Sequence, residues 1–566
     1  MPHDRPRRVS LSRFQLGLAG AAALTLLAAC FPPNGSDPEA SNTERAETLF
    51  SNGTIHLDPT QSTEALAVSG SKVVAVGADA LARVGPDTLK VDLKGAHAYP
   101  GFTDSHMHLL AGSFGVSQLQ LLEGDQPLDT MDAIKTKLEA YLVQHPGDGW
   151  VVGMGWRMTA GNTPDGLALD AVTGDRPVFL VDLSGHSALV NSKGMELAGI
   201  DANTIAPAGG EIVKDGGVPT GWIKESAMSL VSDVLIPTLS DAQIGGALPQ
   251  FLALAASGGL TGASEVLGAP GLNLSRPQIF TQLDQQGKLP VRIHYYVPVF
   301  KAEDVAAAAA LGREHKSDRV RFAGGKIWID GAMGNGDSWT KFGHVDAPNE
   351  HGSHYFDAST LKTILEQAES HQMPMQLHIN GDAAMDQALD ALESIKASQG
   401  SLRQAHTLVH LGFVEPTQID RIKKLNVVIS AQPGFWGSTA DTTKAAYGHH
   451  FNGAYNYKAL IEAGLKLSIG TDWPVSPSPF PLNVMAVGSQ PPQNDRRPLT
   501  VAEMIHSYTE GSAASVLRTD LGSLTVGKTA DLVVFSEDPQ SVTGPALEQI
   551  KVKATYLGGK PAYVAP

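Results

Sequence analysis

Short apolar runs separated by Gly and Asp turns occupy both ends of the chain, and such runs are typical of strands. Strands are predicted at residues 54–57, 65–68, 72–76 and 89–93, and again at 530–535, 552–557 and 561–564. Gly558-Gly559, between the last two runs, predicts a hairpin turn. The two β-rich ends predict one small β-sandwich domain built from residues 46–98 and 516–566.

The middle of the chain alternates apolar runs with amphipathic segments. Eight runs are predicted strands, at residues 98–108, 259–266, 291–299, 322–330, 373–379, 407–413, 426–431 and 465–471. Helices are predicted between most of them, for example at 302–315, 358–371 and 381–398. Eight strand–helix units predict an α/β fold, a (β/α)8 TIM barrel over residues 99–515. About 150 residues separate the first two strands, so a large insertion is expected after strand 1, at about 109–257.

The first 29 residues have the features of an export signal. Four arginines lie within residues 1–14, an apolar run covers 16–29, and small residues precede Cys30. This order is typical of a secretory signal peptide, and the run is shorter than the roughly 20 residues that span a bilayer. The cysteine after small residues resembles a bacterial lipobox, which implies that residues 1–29 are removed and that Cys30 is lipidated. Residues 30–45 are polar and Pro-rich, so they are predicted to be a flexible tether.

Composition and charge narrow the class of protein. Apolar residues make up 42% and charged residues 18% of the 566, which is ordinary for a globular protein. A net charge of −16 argues against a nucleic-acid surface, which needs clustered Lys and Arg. A single cysteine excludes an intramolecular disulfide. The sequence predicts an acidic enzyme exported to the bacterial cell envelope, anchored by lipid in the outer membrane and facing the periplasm, with no other membrane contact.

Polar residues with metal-binding chemistry end several of the predicted strands, where a barrel of this type presents its active site. His106 and His108 are two residues apart on the first strand, so they point to the same face and can bind one metal. His378, His410 and Asp472 end the fifth, sixth and eighth strands. Taken singly, either of these two histidines could be a hydrogen-bonded core residue, and the aspartate could cap a helix or a turn.

Lys326 lies on the fourth predicted strand among Ile, Trp and Phe residues, where an ammonium group is costly to bury. Two interpretations are open at this point. Either the side chain snorkels to water or pairs with Asp330, or it is neutral enough to react with CO2. The resulting carbamate would supply two oxygens that bridge two metal ions.

The candidate residues form an ordered set: two histidines on strand one, a lysine on four, histidines on five and six, and an aspartate on eight. This set resembles that of the amidohydrolase superfamily of metal-dependent hydrolases. The resemblance covers nearly the whole chain after the signal peptide. More narrowly, the chain resembles the branch that contains N-substituted formamide deformylase, through Gly155-Trp156, residues 182–191, Lys326-x-x-x-Asp330-Gly331, His378-x-x-Gly-Asp382 and Gly470-Thr-Asp-Trp-Pro-Val475. Two positions depart from that branch: Arg157 stands where an acid is common, and Val409 stands where Glu is common. Both departures concern the substrate pocket rather than the metal ligands.

The resemblance implies two divalent metal ions, most simply Zn2+. One would be held by His106, His108 and Asp472, the other by His378 and His410, and carboxylated Lys326 would bridge them. Two cations lower the pKa of a shared water and so generate hydroxide, and Asp472 would pass the proton of that hydroxide to the leaving nitrogen. The resemblance also implies that His186, in the insertion, faces the pocket and orients the substrate or its oxyanion, with a structural role as the alternative.

The predicted function is hydrolysis of a carbon–nitrogen bond, other than a peptide bond, in a small-molecule amide. Trp156, Arg157 and Trp473 are candidate pocket residues, no nucleic acid is expected as a partner, and a homo-oligomer is compatible with the sequence. Three alternatives stay open: a carboxyl-ester, lactone or phosphotriester hydrolase on the same metal site, a mononuclear deaminase, and a non-catalytic lipoprotein with a metal-stabilised barrel. A deaminase of this superfamily would typically show His-Ala-x-Glu near the fifth strand, and Gly381-Asp382 does not provide it.

Overall fold

The computed structural model describes residues 45–124, 126–158, 161–207, 209–476, 478–491 and 496–566. The predicted signal peptide and Cys30 lie outside these residues, as does the predicted tether apart from Arg45. Within the described residues, no helix is both long enough and apolar enough to cross a membrane.

Eight parallel strands form a nearly closed barrel. They are β1 (Phe102–Met107), β2 (Leu260–Val266), β3 (Arg292–Pro298), β4 (Val320–Trp328), β5 (Met375–Ile379), β6 (His406–His410), β7 (Val427–Ala431) and β8 (Leu467–Ile469). Each strand pairs with the next along the chain. Just beyond β8, the backbone N–H of Asp472 donates to the carbonyl oxygen of His106 at 2.7 Å, which brings the last strand to the first. The prediction of an α/β protein with eight parallel barrel strands is confirmed.

The first predicted strand, 98–108, is two strands in the structure. His97–Pro100 belongs to a separate sheet, and β1 starts after Gly101. A Cβ on Gly101 would lie 2.2 Å from Oγ1 of Thr261, so glycine is needed where the chain passes from one sheet to the other. Both strands are buried over most of their length, so the apolar run continues across the break and the sequence pattern does not show it.

Helices follow most of the barrel strands. Several begin at a side chain that accepts a backbone N–H of the first turn, such as Asp357 with Thr360 and Thr500 with Glu503. The helices after β2 are Gln278–Gln285, Asp304–Glu314, Ala358–Ser370, Asp382–Gln399, Pro416–Ile422, Phe435–Ser438, Ala440–Tyr447, Tyr457–Glu462, Pro481–Gly488, Val501–His506 and Ser512–Ser515. Short 3-10 helices lie at Leu167–Leu169, Ser226–Met228, Ile236–Thr238, Met333–Asn335, Gly448–Gly453, Pro539–Ser541 and Gly544–Gln549, and a π-helical turn lies at Ser507–Gly511. The three helices predicted by range are present, with ends within two residues of the prediction.

Strands from both ends of the described chain form one eight-stranded sheet, the terminal sheet. Its order is Lys560–Val564, Val552–Leu557, Leu532–Phe535, His97–Pro100, Thr48–His56, Ser62–Ser69 and Lys72–Val76, with Leu89–Asp92 paired to Thr48–His56 and helix Gly77–Ala82 beside it. Val534 packs in the sheet's own apolar cluster, whereas Val533 packs in the barrel's cluster. A buried ion pair joins the two parts, because Arg292 at the start of β3 donates to Asp531 through hydrogen bonds of 2.6 and 3.0 Å.

The residues between β1 and β2, here called the insertion, have a sheet of their own. Its order is Gly210–Asp215, Val218–Glu225, Ser187–Val190, Val178–Asp182, Val151–Trp156 and Leu119–Gln120. Its helices are Leu109–Val116, Met131–Gln144, Asp170–Thr173, Ser192–Ala198, Ser229–Leu235, Asp241–Gly245 and Leu248–Ser257. Two small hairpins pair Leu122–Glu123 with Gln126–Pro127, and Gly268–Ala269 with Leu272–Asn273 after β2. Strands Val151–Trp156 and Val178–Asp182 are parallel, so the residues that follow them lie at the same edge.

Candidate metal centre

His106 and His108 each direct one ring nitrogen at the same carboxylate oxygen. Their Nε2 atoms lie 3.3 and 3.1 Å from Oδ1 of Asp472. Their Nδ1 atoms lie 2.8 Å from Oε1 of Gln376 and 2.7 Å from the carbonyl oxygen of Gly268. Both of these oxygens only accept hydrogen bonds, so each Nδ1 carries the proton and each Nε2 keeps its lone pair. Histidines that bind metals show this arrangement, in which the second ring nitrogen donates to a fixed acceptor.

Asp472 completes this group from the end of β8. Its backbone is left-handed, with φ of 56°, a strained conformation that is typical of functional sites. Burial opposes ionisation of Asp472, and its Oδ1 has no hydrogen-bond donor among the described residues, because both Nε2 atoms face it with a lone pair. The ligand atoms of the three side chains all lie within 4.8 Å of one another. Two imidazole nitrogens and a carboxylate at this spacing fit a divalent metal ion.

Two buried carboxylates hold the backbone of this centre in place. Asp104, on β1, accepts the N–H groups of His106 and Thr471 at 3.0 and 3.1 Å, which ties the end of β8 to β1. Glu265, on β2, accepts the N–H of Leu109 at 2.6 Å, where the helix after β1 begins. Burial raises the pKa of Asp104 to about 7 and the pKa of Glu265 to about 8. The sequence analysis missed both, although each carboxylate interrupts the apolar run of its strand.

His378 and His410 end β5 and β6 and lie side by side. Their ring centroids are 4.4 Å apart, and the ring of His410 is 5.3 Å from that of His106. Burial lowers the pKa of both histidines well below the ordinary value, so both rings are neutral and have a lone pair to offer. Nδ1 of His410 is buried and has no hydrogen-bond partner among the described residues. A buried ring nitrogen without a partner needs an explanation, and a second cation beside the first would provide one.

Lys326, on β4, lies against His106 and near Asp472 rather than against Asp330. Its side chain is fully buried, with Nζ 3.5 Å from Nε2 of His106 and 5.3 Å from the ring centre of Trp328. Burial lowers the pKa of Lys326 to about 7. Asp330 is not its partner, because that carboxylate accepts three backbone N–H groups, the nearest from Gly381 at 2.7 Å. The snorkelling and ion-pair interpretations are therefore wrong, and burial favours the neutral amine over the ammonium.

His186 reaches the centre from the insertion and pairs with a buried acid. Its Nδ1 lies 2.8 Å from Oε2 of Glu225, which also accepts a hydrogen bond from the hydroxyl of Tyr355. Burial alone would lower the pKa of His186, but the carboxylate of Glu225 raises it to about 9. The ring lies 5.8 Å from that of His378. The sequence analysis placed His186 at the pocket but missed Glu225 and Tyr355, because no spacing in the sequence links them to it.

Two adjoining cavities open onto these residues. The larger has a volume of about 850 Å³ and the smaller about 440 Å³. Their walls share Ser184, His186, His378, His410, Asp472 and Val475. His106 and His108 line only the larger cavity, and Arg157 lines only the smaller. The candidate ligands and His186 therefore lie at the junction of two spaces that can hold a substrate.

Two of the three predicted pocket residues lie elsewhere. Trp156 is buried in the core of the insertion, where its Nε1 donates to the carbonyl oxygen of Leu180 at 2.8 Å. Trp473 is also buried, and its ring centroid lies 4.5 Å from that of Phe251. Neither residue lines the two cavities as far as the structure describes them, whereas Trp328 lines the larger. The structure therefore corrects the prediction for both tryptophans, because their rings pack against apolar side chains in the core instead of lining the cavities.

A further group of residues that could hold a metal ion, which the sequence analysis missed, lies at the terminal sheet. Nε2 of His56 is 3.4 Å from Nδ1 of His97, which is 4.0 Å from Oδ2 of Asp538. All three side chains are partly exposed. A measurement of bound metal ions per chain therefore has to distinguish ions bound by this group from ions bound by the candidate ligands of the barrel.

Comparison with known proteins agrees with this geometry. A model of the amidohydrolase family matches residues 90–563. The chain is 30% identical to the protein named YtcJ of Bacillus subtilis over 494 residues, which cover 84% of this chain and 91% of that protein. It is 26% identical to N-substituted formamide deformylase of Arthrobacter pascens, with 88% of this chain and 94% of that protein covered. An uncharacterized metal-dependent hydrolase from Pyrococcus horikoshii shares the fold, with a TM-score of 0.69, 24% identity, and 88% of this chain and 98% of that one covered. The match over residues 90–563 shows that the chain belongs to the amidohydrolase family.

Proposed function

We propose that the protein is a hydrolase that cleaves the carbon–nitrogen bond of a small-molecule amide with two divalent metal ions, most simply zinc. The observation that carries this proposal is the convergence of the Nε2 atoms of His106 and His108 on one oxygen of Asp472, beside two neutral histidines. The 26% identity to N-substituted formamide deformylase supports amide chemistry. The experiment below distinguishes amide hydrolysis from ester, lactone or phosphotriester hydrolysis and from deamination.

The donor set fits two ions. His106, His108 and Asp472 would hold one ion, and His378 and His410 the other. Lys326 would bridge them as a carbamate. Its neutral amine attacks the carbon of CO2, so that one carbon–nitrogen bond forms, one C=O π bond opens to a negatively charged oxygen, and one N–H proton leaves to solvent. Burial lowers the pKa of Lys326 to about 7, which supports this step because the amine must be unprotonated to react. When bound, the ions would lower the pKa of water, so that hydroxide is available near neutral pH, and would polarise the substrate carbonyl.

Asp472 is proposed to transfer the proton of the attacking water, and His186 to stabilise the negative charge that develops on the substrate oxygen. Asp472 accepts the proton of the attacking water and then donates it to the leaving nitrogen. Asp472 has to be ionised for this role, and cations held beside it would favour the ionised carboxylate. His186 uses the hydrogen on Nδ1 for Glu225, so its Nε2–H can stabilise the substrate oxygen that gains negative charge.

Zinc-reconstituted protein tested on a compound panel decides among the alternatives. The panel holds N-acyl amides, N-substituted formamides and cyclic amides, together with carboxyl esters, lactones, phosphotriesters and an amino-substituted heterocycle. We expect turnover of an amide that is lost with a chelator and restored by zinc. Turnover of only the oxygen esters would overturn the carbon–nitrogen assignment, and ammonia release with one bound ion would indicate a deaminase. Failure of metal-loaded protein to turn over any compound would favour the non-catalytic lipoprotein.

We also propose that the protein is exported and anchored in the outer membrane, facing the periplasm, through lipid on Cys30. The support is the order of basic, apolar and small residues before that cysteine.

A further inference from the structure

Arg157 reaches the site from the same edge of the insertion sheet as His186. Arg157 directly follows strand Val151–Trp156, and His186 lies four residues after the parallel strand Val178–Asp182. Both side chains line the smaller cavity, together with Asp472. The insertion therefore supplies a guanidinium and an imidazole to the space beside the candidate metal ligands.

The side chain of Arg157 is partly buried at the wall of the smaller cavity. Among the residues that the structure describes, no carboxylate forms an ion pair with Arg157, and its buried Nε has no hydrogen-bond partner. By contrast, Arg276, Arg292 and Arg421 each pair with a carboxylate. Arginine keeps its charge under all ordinary conditions, and a partly desolvated charge without a partner is costly. A ligand anion would remove that cost, and the planar fork of guanidinium matches a carboxylate best.

The two cavities differ in chemistry. In the described wall of the smaller cavity, the only basic residue of the Lys or Arg type is Arg157. The only acidic residue there is Asp472, which is a candidate metal ligand. The larger cavity has no Lys or Arg in its described wall, which is mostly apolar and includes Phe114, Phe179 and Trp328. A substrate bound across their junction would place an apolar group in one cavity and an anionic group in the other, with its scissile bond at the shared residues.

We propose that Arg157 binds a carboxylate of the substrate and that the substrate is an amide acid, with an apolar group on one side of the cleaved bond and a carboxylate on the other. This inference rests on the proposed function, because it names the substrate class of the same site. N-acyl amino acids with an apolar acyl group have this chemistry. Their hydrolysis adds OH to the acyl carbon and H to the nitrogen, and it needs no co-reactant besides water. Arg157 is then a specificity-determining residue at a position where the related branch commonly has an acid.

The kinetic test compares three amides that share the same apolar group. An N-acyl glycine carries the carboxylate on the amine side, an N-alkyl succinamic acid carries it on the acyl side, and the N-acyl glycinamide is neutral. We expect the zinc-loaded, full-length protein to prefer one of the acids over the neutral amide by at least ~10-fold in kcat/KM, the scale of a hydrogen-bonded charge pair. Arg157→Gln should abolish this preference mainly through KM, Arg157→Lys should keep part of it, and Arg313→Gln, at an exposed helix position, should behave as the parent. Equal turnover of acids and neutral amide by the parent, or a preference that survives in Arg157→Gln, would overturn the inference.

A binding measurement separates this inference from the proposed function. Calorimetry on the zinc-loaded protein measures binding of the N-acyl glycine and of the glycinamide, whether or not either is cleaved. Tighter binding of the acid that is lost in Arg157→Gln but kept in Arg313→Gln supports the carboxylate site even if no amide is turned over. Equal binding of both compounds, or binding unaffected by Arg157→Gln, overturns it even if amides are cleaved.

Discussion

Replacement of Asp472 by Asn separates proton transfer from metal binding. Asn has the shape of Asp and keeps one oxygen that can face Nε2 of His106 and Nε2 of His108, which lie 3.3 and 3.1 Å from the carboxylate in the parent. It has no charge and cannot accept the proton of the attacking water. General acid–base help is worth about 10²- to 10⁴-fold, which is about 2.7 to 5.4 kcal/mol at about 1.36 kcal/mol per tenfold. We therefore expect kcat to fall by at least ~10²-fold while KM changes much less, because the loss lies in the transition state.

The assay measures kcat, KM and bound metal on the same preparations of Asp472→Asn and the parent. The fall in kcat reports proton transfer only where the ions stay bound, so the metal content of each sample is part of the result. Asp79→Asn removes the same charge at an exposed position beside the terminal sheet and should leave the kinetics unchanged. An Asp472→Asn protein that holds its metal and works within a few-fold of the parent would refute the assignment. His186 would then be the next group to test.

Three further changes test other parts of the structure. Lys326→Ala should lose at least one ion because the bridging carbamate is gone, and small carboxylic acids should restore part of the activity; full metal content and activity would contradict the bridge. Asp531→Ala leaves Arg292 buried without its partner, so the free energy of unfolding measured in urea should fall by about 3–5 kcal/mol. A loss of under about 1 kcal/mol, the scale of solvent-exposed ion pairs, would contradict a buried pair that stabilises the fold. Cys30→Ser should leave the protein without lipid in mass spectrometry, and an unmodified Cys30 or a different mature N-terminus in the parent would disprove the lipoprotein proposal.

The candidate ligands could be found from the sequence because each one ends, or closely follows, a buried strand. Strands covered on both faces are continuous apolar runs, and a His or Asp at the end of such a run stands out. The eight barrel strands differ from the predicted ranges by only a few residues at each end. Lys326 stands out for a different reason, because it is an amine within the buried part of an apolar strand.

The residues that hydrogen-bond to the candidate ligands could not be found from the sequence, because they are far from the ligands along the chain and contact them only in the folded protein. Gln376 on β5 reaches His106 on β1, and Glu225 reaches His186 across the insertion sheet. Trp156 shows the opposite error. It precedes Arg157 in the chain, but successive side chains of an extended segment point to opposite faces. The arginine therefore lines the cavity while the indole enters the core of the insertion.

Metal content tests the two-ion centre most directly. Full-length protein is stripped with a chelator, reconstituted with zinc in the presence of bicarbonate, freed of excess metal and analysed for bound zinc. His56→Ala serves as the background, because it removes the second His/Asp group at the terminal sheet from the count. About two zinc ions per chain are expected in His56→Ala, and at least one should be lost when His410→Ala is added. One ion per chain in His56→Ala, unchanged by more bicarbonate and metal and unaffected by His410→Ala, would contradict the two-ion centre.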